Sequence, residues 1–157
     1  MSGFEMMKFM SVAWGEFLLP MLRRPKRVQV AALCYRGKGS DKEVLLVTSR
    51  GSGRWIIPKG WPIPGKNSAD AARQEAWEEA GVSNGKVGAE AIGRYTYNKE
   101  LSTGWSIPVE TMVYPLNVED LSEQFPEAHQ RKRKWTSAAD AANLVQEPEL
   151  KQILQHL

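Results

Sequence analysis

Three glutamates between residues 75 and 79 give this sequence its clearest potential for chemistry. Glu75 and Glu79 are four residues apart, and Glu78 lies three residues beyond Glu75. On a helix these spacings place the side chains on one face, where like charges repel each other by roughly 0.2–0.5 kcal/mol per pair. A hard divalent cation such as Mg2+ or Mn2+ turns that repulsion into attraction, and oxygen-only ligands argue against zinc. The spacing therefore predicts a Mg2+ or Mn2+ site, with a solvated acidic face as the alternative.

A helix is needed to hold the three glutamates together, and the flanking residues predict one. Asn67 and Ser68 are favourable N-cap residues, and Asp70 lies in the first turn, where the helix dipole favours a negative charge. Gly81 supplies a C-terminal stop. The segment is therefore predicted to form a helix of about three to four turns.

The stretch from Gly60 to Val82 resembles the Nudix box. In that pattern a glycine is followed by five residues, Glu, seven residues, Arg-Glu, an aliphatic residue, any residue, Glu-Glu, any residue, Gly and an aliphatic residue. The positions that match are Gly60, Glu75, Ala76, Glu78, Glu79, Gly81 and Val82. Lys66 stands where Glu is usual and Gln74 where Arg is usual. Because both charges of a possible ion pair are absent together, we interpret the departures as a lost structural pair rather than a lost metal site.

The resemblance covers roughly residues 26–142. AALCYRGKGSDKEVLLVTSRGSGRWIIPKGW before the helix and QRKRKWTSAADA after it look like the diphosphoinositol polyphosphate phosphohydrolase branch of the Nudix hydrolases. The resemblance implies an α+β fold, the Nudix-type α/β/α sandwich with a central mixed β-sheet. It also implies hydrolysis of a diphosphate linked to another group. Lys59 replaces a glycine common in that branch and adds a positive charge at the mouth of the site.

Hydrolysis of a diphosphate linkage requires cations that neutralise its oxygens, and a base that activates water. Glu75 and Glu79 are the predicted metal ligands, with the carbonyl of Gly60 as a further oxygen donor by resemblance, and Glu78 and Glu75 are the predicted catalytic residues. Glu78 is either a third ligand or the base. Because family members differ in where the base lies, Glu100 and Glu110 are further candidates, although most glutamates outside a motif are simply solvated.

Substrate phosphates should be held by cations, among which arginine offers a bidentate fork. The positions near the branch's phosphate contacts are Arg27, Arg50, Arg54, Lys59, Arg131, Lys132 and Arg133. For each of them a solvated surface charge is the alternative interpretation. The predicted substrate is a polyphosphorylated small molecule of the inositol pyrophosphate or dinucleoside polyphosphate type.

Two other functions stay open at this point. The run from Arg131 to Lys134 is compatible with nucleic acid, and hence with an RNA 5′-pyrophosphohydrolase, although no stripe of aromatic residues accompanies it. Trp61 and Trp105 could stack on a base or simply pack. A non-catalytic Nudix-like binding module would explain the altered box, but the three intact glutamates argue against it.

Apolar and β-branched stretches predict strands at 28–35, 43–48, 54–60, 86–98 and 105–116. Pro108 predicts an edge or a bulge in the last of these. Helices are predicted from about Ser137 to Val145 and again after Pro148. Trp55, Trp77 and Trp135 are predicted to lie in the core. This mixture of strands and helices is typical of an α+β sandwich.

The composition is that of one ordinary globular domain, predicted at residues 26–157 and preceded by an amphipathic extension at residues 1–25. The chain has 157 residues, of which 42% are hydrophobic, and its formal net charge of +3 suits a polyanionic substrate. The lone Cys34 excludes an internal disulfide framework and predicts a buried thiol in a reducing, cytoplasmic location. Charges and a proline interrupt the apolar N-terminal stretch, so neither a membrane span nor a signal peptide is expected. The oligomeric state is not predicted.

Overall fold

The computed structural model describes residues 27–157, so the extension predicted for residues 1–25 lies outside the described part of the chain. The elements are β1 (Val28–Arg36), β2 (Glu43–Thr48), β3 (Trp55–Ile56), β4 (Lys59–Gly60), α1 (Ser68–Ala80), β5 (Val82–Val87), β6 (Gly93–Glu100), β7 (Ser106–Leu121), β8 (Arg133–Ser137), α2 (Ala138–Leu144) and α3 (Pro148–Gln155). A 3-10 turn (Gly39–Asp41) joins β1 to β2. None of the helices in residues 27–157 is long and apolar enough to cross a membrane.

The strands of the described residues form one mixed sheet around β1. β1 pairs in parallel with β7, and in antiparallel fashion with β2 and β4. The other edge of β7 pairs with β5 and β6, while β2 also pairs with β3 and β8. A parallel pair requires a long crossover, and the connection from β1 to β7 contains α1. The predicted α+β fold with a central mixed sheet is confirmed.

Helices cover both faces of the sheet, because β1 is apolar along nearly its whole length. Val30, Ala32 and Cys34 pack in a core with the alanines of α1. Ala31 and Leu33 belong to a second core with residues of α2 and α3. Each fully buried valine or leucine contributes about 1.5–3 kcal/mol to stability. The prediction of a buried thiol is confirmed, since Cys34 is inaccessible and burial raises its pKa to about 12.

Two predicted strands are each divided in the structure. The strand predicted at 86–98 is wrong as a single element, because β5 and β6 pair with different stretches of β7 and the chain leaves the sheet between them. The strand predicted at 54–60 is divided into β3 and β4, which pair with β2 and β1 respectively. Pro58 lies between them; it has no N–H to donate, but its carbonyl accepts a bond from the amide of Ala32.

Pro108 lies where the sequence predicts an edge. β7 pairs with β6 at this residue, whereas its pairing with β1 begins only at Glu110. The core prediction for Trp77 is wrong, since this side chain is 36% exposed. The buried positions of α1 include Ala72, Ala76 and Ala80, a helical stripe that excludes residue 77.

Candidate active site

The ends of α1 are fixed as the sequence predicts. The Asn67 side chain accepts a hydrogen bond of 2.8 Å from the amide of Asp70. Gly81 takes the left-handed conformation, with φ of 73°, and its N–H bonds the carbonyls of Ala76 and Trp77. A helix of 13 residues results, and it presents the three glutamates to one cleft.

Gly60 brings the backbone of β4 against the carboxyl group of Glu75. A Cβ atom added at Gly60 would lie 2.2 Å from Cδ of Glu75, so the carboxyl end of this side chain would have to move. β4 cannot easily withdraw, because Gly60 pairs with Val30 of the central strand. Glycine at this position therefore allows the carboxyl group of Glu75 to lie directly against the backbone of β4.

Glu79 is buried and engaged on both oxygens. One oxygen accepts a 3.2 Å bond from the amide of Lys59, and the other pairs with Nη2 of Arg131 at 3.1 Å. Burial raises the pKa of Glu79, an effect that the positive charges of Arg131 and Lys59 oppose. The Arg131 side chain is only 5% exposed and also donates to the carbonyl of Thr48. The structure thus places Arg131 behind the acidic cluster as a fixed counter-charge.

A fourth carboxylate joins the cluster, which the sequence does not predict. Glu127 pairs with Arg131 and with Arg50, each at 3.2 Å. Its amide bonds the carbonyl of Glu78, which ties this loop to α1. Because Glu127 follows Glu79 by nearly fifty residues in an irregular segment, no local spacing in the sequence indicates it.

Burial and neighbouring carboxylates disfavour the ionised form of Glu75. The pKa of Glu75 is raised from 4.5 to about 7, first by burial and then by the charges of Glu79, Glu78 and Glu127. Glu78 accepts a 3.1 Å bond from Nε2 of Gln74. A divalent cation would stabilise the ionised forms of Glu75 and Glu79, whose pKa values are both raised in this cluster.

The donor chemistry fits a hard divalent cation, because the ligands available are carboxylate and carbonyl oxygens. Within residues 27–157, however, no three acidic, histidine or cysteine side chains are already gathered as a metal-binding group. Two of the four carboxylates are instead bound to other side chains, Glu79 to Arg131 and Glu78 to Gln74.

The acidic cluster forms one wall of a cleft of about 1090 Å³. Lining residues that the sequence predicts are Gly60, Glu75, Glu78, Glu79, Arg50, Arg54, Lys59, Arg131 and the weaker candidate Glu100. Carboxylates and cations therefore face the same space, and Trp61 and Tyr97 also contribute to its wall.

Some sequence candidates lie elsewhere. Arg27 and Lys132 are exposed and do not line the cleft. Arg133 donates to the carbonyls of Ala80 and Ser122, so its guanidinium is used within the protein. Glu110 pairs with Arg94 at 2.8 Å and also lies outside the cleft lining.

Two cations in the cleft lie in a partly buried polar network. Burial lowers the pKa of Lys59 to about 8, while the charge of Glu79 opposes that shift, and its ammonium lies 4.9 Å from the centre of the Tyr97 ring. Arg54 forms a 2.5 Å ion pair with Glu147. The sequence does not predict this pair, because its members are 93 residues apart.

Comparison with known proteins identifies the family. The NUDIX domain matches residues 25–157. The chain belongs to the Nudix family. Human diphosphoinositol polyphosphate phosphohydrolase 3-beta is 34% identical over 120 residues, covering 75% of this chain and 68% of that protein. The bovine 3-beta protein is 33% identical over the same shares of the two chains.

Solved Nudix structures share the fold. The Ap4A hydrolase of C. elegans has a TM-score of 0.58 at 24% identity, covering 83% of this chain and 94% of that one. The NUDIX domain of Shewanella oneidensis NrtR, complexed with ADP ribose, has a TM-score of 0.61 at 19% identity, covering 90% of this chain and 94% of that one. The predictions of a Nudix hydrolase of diphosphate linkages, related to the diphosphoinositol branch, are confirmed.

The two departures from the Nudix box lie together, outside the acidic cleft. Lys66 and Gln74 line a separate groove with Asp70 and Arg73. We therefore expect the double substitution Lys66→Glu with Gln74→Arg to alter the free energy of unfolding by about 1 kcal/mol. Turnover should change by less than about threefold, the equivalent of under 1 kcal/mol, because the introduced glutamate is expected to pair with the introduced arginine in this groove and to keep it from Glu78, which now accepts from Gln74. Thermal melting and steady-state kinetics on the same preparations measure both, and a large gain in rate would contradict the structural interpretation.

The raised pKa of Glu75 predicts how the stability of this Nudix domain depends on pH. Because protonation of Glu75 is easier in the folded than in the unfolded chain, its contribution to stability is complete below pH 4.5 and is lost as the pH rises to about 7. In metal-free protein, Glu75→Gln should flatten the fall in melting temperature over this range. The exposed Glu119→Gln is the control. Parallel curves for Glu75→Gln and wild type would contradict the assigned pKa.

Proposed function

We propose that this Nudix protein hydrolyses a diphosphate linkage in a polyphosphorylated small molecule, of the inositol pyrophosphate or dinucleoside polyphosphate type, with Mg2+ or Mn2+ as cofactor. The observation that carries the proposal is the meeting of an acidic cluster and a set of cations in one cleft. The names of the relatives, which include diphosphoinositol polyphosphate phosphohydrolases and an Ap4A hydrolase, support this class of substrate. The buried lone Cys34 fits a cytoplasmic location.

Glu75, Glu78, Glu79 and the carbonyl of Gly60 would hold the metal ion. When bound, a divalent cation polarises the phosphoryl oxygens, lowers the pKa of bound water and offsets the charge of the diphosphate. To serve as ligands, Glu79 and Glu78 would loosen their bonds to Arg131 and Gln74. Arg131 keeps a second carboxylate partner in Glu127, so its buried charge stays compensated when Glu79 turns to the cation.

Glu75 and Glu78 are the proposed catalytic residues. Both are partly exposed in the cleft, whereas Glu79 is buried. In the metal-free site the pKa of Glu75 is about 7, and a bound cation would favour its ionised form, which is the form that can hold a metal ion or accept a proton. Glu78 lines the cleft and accepts a bond from the amide of Gln74 at Oε1, which leaves Oε2 to face a water molecule in the cleft.

The proposed phosphate contacts in the cleft are Arg50, Arg54 and Lys59. All three line the cleft opposite or beside the acidic wall. A charged hydrogen bond contributes about 1.5–3 kcal/mol, so several such contacts favour a chain of phosphates over a single diphosphate. Arg131 adds its charge from behind Glu79, and Arg27, Lys132 and Arg133 remain predicted contacts that do not line the cleft.

A substrate panel tests the proposal. Inositol pyrophosphates, dinucleoside polyphosphates, nucleotide sugars, nucleoside triphosphates and 5′-triphosphate RNA would be assayed with Mg2+ and with Mn2+. We expect the highest kcat/KM for inositol pyrophosphates or dinucleoside polyphosphates. A preference for RNA would replace the proposed substrate class, and binding without turnover of any compound would identify a non-catalytic module.

A further inference from the structure

Glu147 is a buried glutamate outside the acidic cluster. It directly precedes Pro148, at the start of α3, and its side chain is only 7% exposed. It occupies the N-cap position of α3, yet its side chain makes no capping bond. Removing a carboxylate from water costs several kcal/mol unless a partner compensates. Helix capping does not explain why this carboxylate is buried.

The partner of Glu147 is Arg54. Oε1 of Glu147 accepts from Nη1 of Arg54, while Oε2 is buried and has no hydrogen-bond partner among residues 27–157. The ion pair therefore uses only one of the two carboxylate oxygens. The other oxygen is buried without a hydrogen bond from the described residues. The unpaired oxygen makes the arrangement costly if its only role is stability.

Arg54 connects this buried acid to the cleft. Its side chain is 23% exposed and lines the cleft together with Lys59 and Tyr97. A free arginine loses rotamer entropy worth up to about 2 kcal/mol when a ligand orders it. An arginine already held at one nitrogen pays less of that cost and keeps its other N–H groups for the ligand.

We propose that Glu147 is a positioning residue, whose carboxylate holds the Arg54 guanidinium in the orientation that receives a phosphate of the substrate. The inference rests on the proposed function, because it assigns Arg54 to a phosphate chain in the cleft. It gives α3, which packs against β6, an indirect role in substrate binding. The C-terminal helix thereby contributes to affinity without contacting the substrate.

Calorimetric titration of the protein with inorganic tripolyphosphate in Mg2+ tests this role without relying on turnover. Glu147→Ala removes the acceptor and should raise Kd about tenfold, equivalent to about 1.4 kcal/mol. Glu147→Asp keeps the charge but shortens the reach, and should weaken binding in the same direction. Glu147→Gln keeps an acceptor at the same distance and should stay within about threefold of wild type.

A matched control is available in a second arginine–glutamate pair. Arg36 and Glu43 pair at 2.9 Å on the surface and do not line the cleft. Glu43→Ala should leave Kd unchanged. The double variant Arg54→Ala with Glu147→Ala should bind no more weakly than Arg54→Ala alone, since the acid acts through the arginine.

Three outcomes would overturn the positioning role: unchanged affinity in Glu147→Asp, unchanged or tighter binding in Glu147→Ala, or additive losses in the double variant. If Glu147→Ala fails to fold, Glu147→Asp and Glu147→Gln still show whether binding depends on the length of the side chain or on its charge. A wild type that binds tripolyphosphate but hydrolyses nothing in the panel would overturn the proposed function alone. A wild type that hydrolyses polyphosphates while showing one of these three outcomes would overturn the positioning role alone.

Discussion

Glu79→Gln should lower turnover by about a thousandfold, because losing one of the proposed charged metal ligands removes several kcal/mol of transition-state stabilisation. The fold should persist. Glutamine keeps an oxygen that can accept from the amide of Lys59, and Arg131 retains its pair with Glu127. Steady-state kinetics at several Mg2+ concentrations, with thermal melting on the same samples, separate lost catalysis from lost structure.

The control for Glu79→Gln is Glu119→Gln, which removes an exposed charge from β7 outside the cleft. It should leave turnover and its Mg2+ dependence unchanged. Activity of Glu79→Gln close to that of wild type would remove Glu79 from the metal site. An unfolded Glu79→Gln protein would instead show that its pair with Arg131 is indispensable to the fold.

Gly60→Ala should have the second large effect. The new Cβ would overlap the carboxyl group of Glu75, and the pairing of Gly60 with Val30 keeps the backbone in place. The carboxyl end of the flexible Glu75 side chain must then move, which costs the fold little but misplaces a proposed metal ligand. We expect Mn2+ affinity to fall by about 10–100-fold, as for other changes that misplace metal ligands, and turnover to fall with it.

Gly51→Ala provides the matched control for Gly60→Ala. A Cβ added at Gly51 meets nothing within 4 Å, and the residue has no positive φ. This variant should bind Mn2+ as wild type does. Equal Mn2+ affinity in Gly60→Ala and wild type would show that the position of Glu75 is unimportant for the metal.

Local patterns in the sequence predict the catalytic helix and its glutamates. Asn67 and Gly81 fix the ends of α1, and the spacing of the three glutamates is set by the geometry of one helix. These features depend on residues within a few turns of each other. The apolar run of β1 likewise predicts a strand buried on both faces.

Contacts between distant segments could not be predicted in the same way. The basic run illustrates this, since it suggests one continuous binding surface. In the structure its members alternate: the side chains of Arg131 and Arg133 make contacts within the protein, while Lys132 and Lys134 are exposed. A strand alternates its side chains with a period of two, but the sequence does not state which pair points inward. Glu127 and Glu147 reach the site through tertiary packing alone.

The most direct test of metal-dependent diphosphate hydrolysis is phosphorus NMR of the wild-type protein acting on a dinucleoside polyphosphate in water enriched in heavy oxygen. With Mg2+ present, we predict that one phosphate product carries the heavy oxygen, and that a chelator abolishes the reaction. Failure to cleave the dinucleoside polyphosphate or an inositol pyrophosphate with either Mg2+ or Mn2+, or equal turnover in chelator, would contradict the account.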